Sequence, residues 1–79
     1  MIEVYSVYQW FEDGQYERVA HYVPLAEAMR RAINVARSVG GQIGTTTRII
    51  ITDGGDSIVW EWLYGKGVVF PSELAVTKS

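Results

Sequence analysis

The sequence predicts an α+β fold of two layers: a four-stranded, mainly antiparallel sheet with one helix on one face, in the order β-β-α-β-β. Three observations carry that expectation. Two turn signatures, Asp13-Gly14 and Gly54-Gly55, are each bounded by runs of β-branched and aromatic residues. Between them, apolar residues recur at helical spacing from Leu25 to Val39. The chain has 79 residues, enough for one small core and no second domain.

Residues 2–11 (IEVYSVYQWF) and 16–23 (YERVAHYV) suit a pleated surface and read as a hairpin around Asp13-Gly14. A two-residue loop pairs Glu12 with Gln15, Tyr5 with Tyr22 and Val7 with Ala20. A three-residue loop that includes Gln15 shifts that register by one and exchanges the faces. Both registers stay open at this point. Pro24 suits the first turn of the helix, where a missing N–H costs nothing. At 100° per residue, Leu25, Ala28, Met29, Ala32, Ala36 and Val39 share one stripe, while Glu27, Arg30, Arg31, Asn34, Arg37 and Ser38 lie opposite. Gly40-Gly41 is expected to close the helix as a left-handed cap.

The alanines let the helix lie close to a sheet. Its bulky partners are expected from the second hairpin. With Gly54-Gly55 as a two-residue turn, Ile51 faces Ile58, Ile49 faces Trp60 and Thr47 faces Trp62. The reverse side then pairs Arg48 with Glu61, Ile50 with Val59 and Thr52 with Ser57. That places the Ile49/Ile51/Ile58/Trp60 face under the alanines and the Arg48–Glu61 ion pair on the outer face. Val68-Val69-Phe70 extends as a short strand or returns along the sheet. Residues 1–70 form the domain, and 71–79 are a tail expected to fray, although Ser72-Glu73-Leu74-Ala75 could begin a short helix.

Composition excludes several classes. With 48% hydrophobic and 20% charged residues the chain is neither disordered nor of low complexity. No apolar run approaches a membrane span, and Met1-Ile2-Glu3-Val4 lacks the pattern of a secretory leader, so a cytoplasmic setting is expected. Zero cysteines remove disulfides and cysteine-based zinc sites. A net charge of −2 weighs against general polyanion binding.

No residue group specifies a chemistry. His21 is the sole histidine, and none of Ser6, Ser38, Ser57, Ser72 or Ser79 sits in a nucleophile elbow. Asp53 and Asp56 flank a tight turn and supply too few oxygens for a hard cation. Glu17 and Glu61 could serve as acid or base, but a cross-strand arginine explains Glu61 more simply. Gly65-Lys66-Gly67 lacks the longer frame of a phosphate loop and reads as an exit from the last strand. Neither a cofactor nor a small-molecule ligand is implied.

The Asp13-Gly14 turn, the alanine-spaced helix ending in Gly40-Gly41, the Asp53-Gly54-Gly55 turn, and the Trp60/Trp62 strand running into Gly65-Lys66-Gly67 and Phe70-Pro71 together resemble small uncharacterised bacterial domains of hairpin–helix–hairpin layout. The likeness covers most of the chain. It implies the ββαββ arrangement and no catalytic residues.

The functional expectation follows from a mismatch of areas. A helix of about 16 residues is roughly 24 Å long and covers one face of such a sheet. Yet most aromatics, and Val7, Val19, Ile50 and Val59, lie on strands whose side chains alternate between faces. An uncovered apolar face usually marks an interaction surface. The first expectation is a non-enzymatic module that forms a homodimer through the sheet face or edge, with Tyr5, Val7, Phe11, Val19, Arg48, Ile50, Val59 and Glu61 as candidate contacts. A second is binding of single-stranded nucleic acid by aromatic strands together with Arg30, Arg31 and Arg37. A third is a small-ligand binder or enzyme built on the His21 region.

Overall fold

A computed structural model describes residues 3–71. Two strands, β1 (Tyr5–Phe11) and β2 (Tyr16–Val23), precede the helix α1 (Leu25–Arg37) and the short helix α2 (Val39–Ile43). Three more strands follow: β3 (Thr46–Thr52), β4 (Ile58–Leu63) and β5 (Gly67–Phe70). The sheet is ordered β2-β1-β3-β4-β5, and every neighbouring pair is antiparallel. β2 and β3 therefore run parallel with β1 between them, and α1 supplies the long connection that parallel strands need.

The α+β class and antiparallel sheet agree with expectation; the number of strands does not. The chain makes a further hairpin after Leu63. Lys66 N–H donates to Leu63 O at 3.0 Å, and β5 returns along β4 with Trp62 opposite Val68. Gly65-Lys66-Gly67 is thus mostly a turn rather than a loose exit. A four-residue strand is too short to show a clear alternation in sequence. Residues 72–79, where the frayed tail and a possible helix were expected, lie outside the described residues.

The helix differs at its end. Ser38 interrupts it in an extended conformation (φ −70°, ψ 171°), and its hydroxyl accepts from Gly41 N–H. α2 then runs through Gly40-Gly41, and Gly44 (φ 94°) takes the left-handed cap instead. Gly41 is needed for room: a Cβ there would stand 2.3 Å from the carbonyl oxygen of Ala36. Along the stripe, Ala28 and Ala32 are fully buried, and Met29, Val35 and Ala36 flank the core. Leu25 and Val39 are exposed. The contacts of α1 fall on β1, β2 and β3. The core beneath it is Val7, Ile49, Ile51 and Trp60, with Ala20 at its side.

Both hairpins depart from the expected registers. The first closes with a three-residue loop, Glu12–Asp13–Gly14, where Phe11 N–H donates to Gln15 O at 2.8 Å. Val7 does pair with Ala20, but Tyr5 pairs with Val23 and Tyr8 with Arg18. β2 therefore carries two irregularities, one at Val19 and one in the His21–Tyr22 stretch, where Tyr22 has φ 58°. The second hairpin also has a three-residue loop, Gly54–Gly55–Asp56. Asp53 Oδ1 accepts from Gly55 N–H (2.9 Å) and Ser57 N–H (3.0 Å), while Asp56 adopts φ 66°. An extra residue at Val59 adds a second offset, so Ile51 faces Trp60 and Ile49 faces Trp62. Ile49, Ile51 and Trp60 keep the helix side as expected. Ile58 does not: it pairs with Thr52, outside the core, and is 37% exposed.

A candidate interaction surface on the uncovered sheet face

On the side of the sheet away from α1 no described element lies over the strands, and the register sorts the side chains there into rows. One row crosses all five strands: Arg18, Tyr8, Ile50, Glu61 and Phe70 occupy successive paired positions on β2, β1, β3, β4 and β5. The next row runs Tyr16, Trp10, Arg48, Leu63. A third brings Ser6 beside Thr52 and Ile58.

The second row is a stack. Tyr16 and Trp10 lie at 5.3 Å between ring centroids with an interplanar angle of 26°, and the Arg48 guanidinium sits 4.8 Å from the Trp10 ring centroid. Tyr8 closes the cluster at 6.4 Å from Trp10 and 6.2 Å from Tyr16. Arg48 Nε also bonds Glu61 Oε2 at 2.7 Å. The ion pair is thus on the outer face as expected, but diagonal, because Arg48 stands opposite Leu63 and Glu61 opposite Ile50. Ile50, between Tyr8 and Glu61 in its row, is buried although no described element covers it. Tyr16 (62%), Phe70 (44%) and Ile58 remain open to solvent.

Of the expected contact residues, Arg48, Ile50 and Glu61 belong to this face. Val7 does not: it is fully buried in the helix-side core. Tyr5, Val19 and Val59 also pack against that core, and alternation along β1 puts Phe11 with Val7. Val19 and Val59 are themselves the extra residues of their strands, where the regular alternation breaks. Tyr5, Val7 and Phe11 share one face of β1, which the pairing of Val7 with the core residue Ile51 sets toward the helix. Tyr8, Trp10, Tyr16, Leu63 and Phe70 join the face without having been expected there. Their signal is the pairing of β1 with β3, which sets Trp10 on the Arg48 side once the strand order is known.

The helix arginines are remote from these rings. Arg30 and Arg31 both bind Glu27, Arg31 Nε at 2.8 Å from Oε2. These contacts, that of Arg30 first, hold the Glu27 carboxyl below its ordinary range. Rings and helix cations therefore occupy opposite layers. Trp10 is also occupied, with Tyr16 stacked on it and the Arg48 guanidinium over its ring, which leaves a nucleobase little to stack on.

His21 is exposed on β2. Its Nδ1 is 3.1 Å from Ser6 Oγ, its Nε2 is 3.5 Å from Arg18, and Tyr22 stacks on the ring at 3.6 Å. A serine–histidine pair is therefore present, but a guanidinium stands where a carboxylate would orient the imidazole. An open apolar recess of about 280 Å³ lies elsewhere, on the helix side at the start of α1, lined by Tyr5, Leu25, Met29, Val59, Trp60 and Pro71. Its lining includes neither His21 nor a carboxylate. Among the described residues no group of three or more His, Asp or Glu could hold a metal, and no helix is long and apolar enough to cross a membrane. No family model, curated protein or solved structure matches the chain.

Proposed function

We propose that this protein is a non-enzymatic interaction module that forms a homodimer through the uncovered face of its sheet. The observation that carries the reading is the outer face itself: Tyr8, Trp10, Tyr16, Leu63, Ile58 and Phe70 share one side of a sheet over which no described element packs. Antiparallel sheets often leave one face to water, but that face is then mainly polar. Size is adequate. The body measures 38 × 32 × 18 Å. A broad side of such a slab, on the order of 1,000 Å², exceeds the roughly 800 Å² each partner gives to a standard interface.

The sheet edges favour the face over strand addition. β2 carries two bulges and the exposed Glu17 and Arg18. β5 is four residues long with a register shift of its own. Short, bulged and charged edges resist pairing with another chain. The neutral Arg48–Glu61 pair and the net charge of −2 suit a like partner better than a polyanion.

Sedimentation velocity across a dilution series tests the reading. The wild type is expected to dimerise, and a Tyr16→Ser/Phe70→Ser variant to sediment as a folded monomer. A wild type that stays monomeric at high concentration overturns the proposal. So does tight, salt-sensitive binding of a single-stranded oligonucleotide by a monomer, which would point to the nucleic-acid reading instead.

A further inference from the structure

We infer that the two-fold axis of this dimer runs parallel to the strands past Ile50, so that Arg18 of each copy docks on Phe70 and Glu61 of the other. The inference rests on the self-association reading and adds the recognition contact.

Its basis is the row Arg18–Tyr8–Ile50–Glu61–Phe70. Ile50 is its middle member, with two strands on either side. The arms are equal in length, about 10 Å each at ordinary strand spacing, and opposite in character. One ends in a cation. The other carries Glu61, whose charge Arg48 balances, and the exposed Phe70 ring. Arg18 has no ion pair among the described residues, and its described side-chain contact is the 3.5 Å approach to His21.

Two sheets that pack face to face keep their strands nearly aligned, about 10 Å apart. A two-fold rotation can meet that condition with its axis along the strands or across them. An axis across them, along the row, opposes each residue to its own copy: Arg18 to Arg18 and Glu61 to Glu61. An axis along β3 exchanges the arms instead. Arg18 then lies over Phe70 and beside Glu61, Tyr8 lies over Glu61, and Ile50 meets Ile50. This arrangement also brings Arg48 against its counterpart, but each Arg48 is already neutralised by its own Glu61 at 2.7 Å. The uncompensated charge, Arg18, decides between the two, because opposing like charges is costly while a guanidinium over a ring is attractive.

A charge exchange tests this. Arg18→Glu and Phe70→Lys are each expected to raise the dimer dissociation constant about tenfold or more. Mixed in equal amounts, they should form a heterodimer whose affinity approaches that of the wild type, since the carboxylate introduced in one copy then meets the ammonium introduced in the other. Circular-dichroism melts at dilutions below the dissociation constant should match the wild type, and Arg18→Gln should weaken the dimer with no new charge. A monomeric wild type overturns this inference together with the dimer. A wild-type dimer that neither substitution weakens, or two weakened variants that do not restore each other, overturns the arrangement and leaves face-to-face association standing.

Discussion

The two isoleucines Ile51 and Ile58 separate the pairing found in the structure from the one that turn chemistry alone suggests. Ile51 is fully buried, faces Val7 on one side and Trp60 on the other, and lies in the core with Ala28 and Ala32. Replacing it with alanine leaves a cavity that the close-packed helix can fill only by moving, and such changes cost about 2–5 kcal/mol. A chain of 79 residues, at roughly 0.05–0.15 kcal/mol per residue, has a total stability of about 4–12 kcal/mol. Ile51→Ala should therefore remove about a sixth of it at the least. Its melting temperature should fall by about 4–8 °C for each kcal/mol lost. Ile58 pairs with Thr52 on the outer face and is partly exposed, so Ile58→Ala should cost under about 1 kcal/mol. Urea titrations of both variants, followed by tryptophan fluorescence at concentrations where the chain is monomeric, measure the contrast. Equal losses would mean that Ile58 stands opposite Ile51 beneath the helix, and the reasoning about the sheet's two faces would fail.

Glu27 gives a pH dependence. Its folded-state pKa lies below the ordinary 4.5 because Arg30 and Arg31 bind the carboxylate. That contribution is present above the unfolded value and lost as pH falls through the folded one. Glu27→Gln should therefore melt below the wild type at pH 7, with the gap closing under acid; a gap independent of pH would contradict this. Gly41→Ala should destabilise by about 1–3 kcal/mol, because the new methyl must displace the carbonyl of Ala36. Gly54→Ala, where nothing lies within 4 Å of the new carbon, should be close to neutral. Chemical denaturation of the two side by side checks the difference.

The helix and the identity of the core face were legible because both rest on periodicity. Ala28 and Ala32 recur at helical spacing whatever else the chain does, and both are fully buried. Loop lengths were not legible. Asp13-Gly14 and Gly54-Gly55 are two-residue turn signatures, yet each hairpin closes over three residues, since Glu12 joins one loop and Asp56, at φ 66°, joins the other. Asp53 explains the second case: its carboxylate caps Gly55 and Ser57 N–H together, a geometry that the wider loop provides. The end of the helix was misplaced for a tertiary reason. Gly41 serves close packing on Ala36 and not chain reversal, and that contact has no local signature.

The candidate surface was only half legible for a reason that also shows what guards it. In the second hairpin the wider loop moved the register by one and the extra residue at Val59 moved it by one more. Two offsets restore parity, so Ile49, Ile51 and Trp60 stayed under the helix, and Arg48 and Glu61 stayed outside as an ion pair, although none of the expected cross-strand positions was right. β2 also carries two offsets, at Val19 and in the His21–Tyr22 stretch, but the stretch between them is out of step with the rest of the strand. Arg18 and His21, three residues apart, both come to the outer face only because an irregularity lies between them. A regular strand would have sent one of them into the core beside Val7. The bulge at Val19 therefore places Arg18 and His21 together at one margin of the aromatic rows. The same irregularities also make the edge a poor template for another strand. One local irregularity thus sets Arg18 and His21 on the same face and disturbs the edge, and removing it should alter both together.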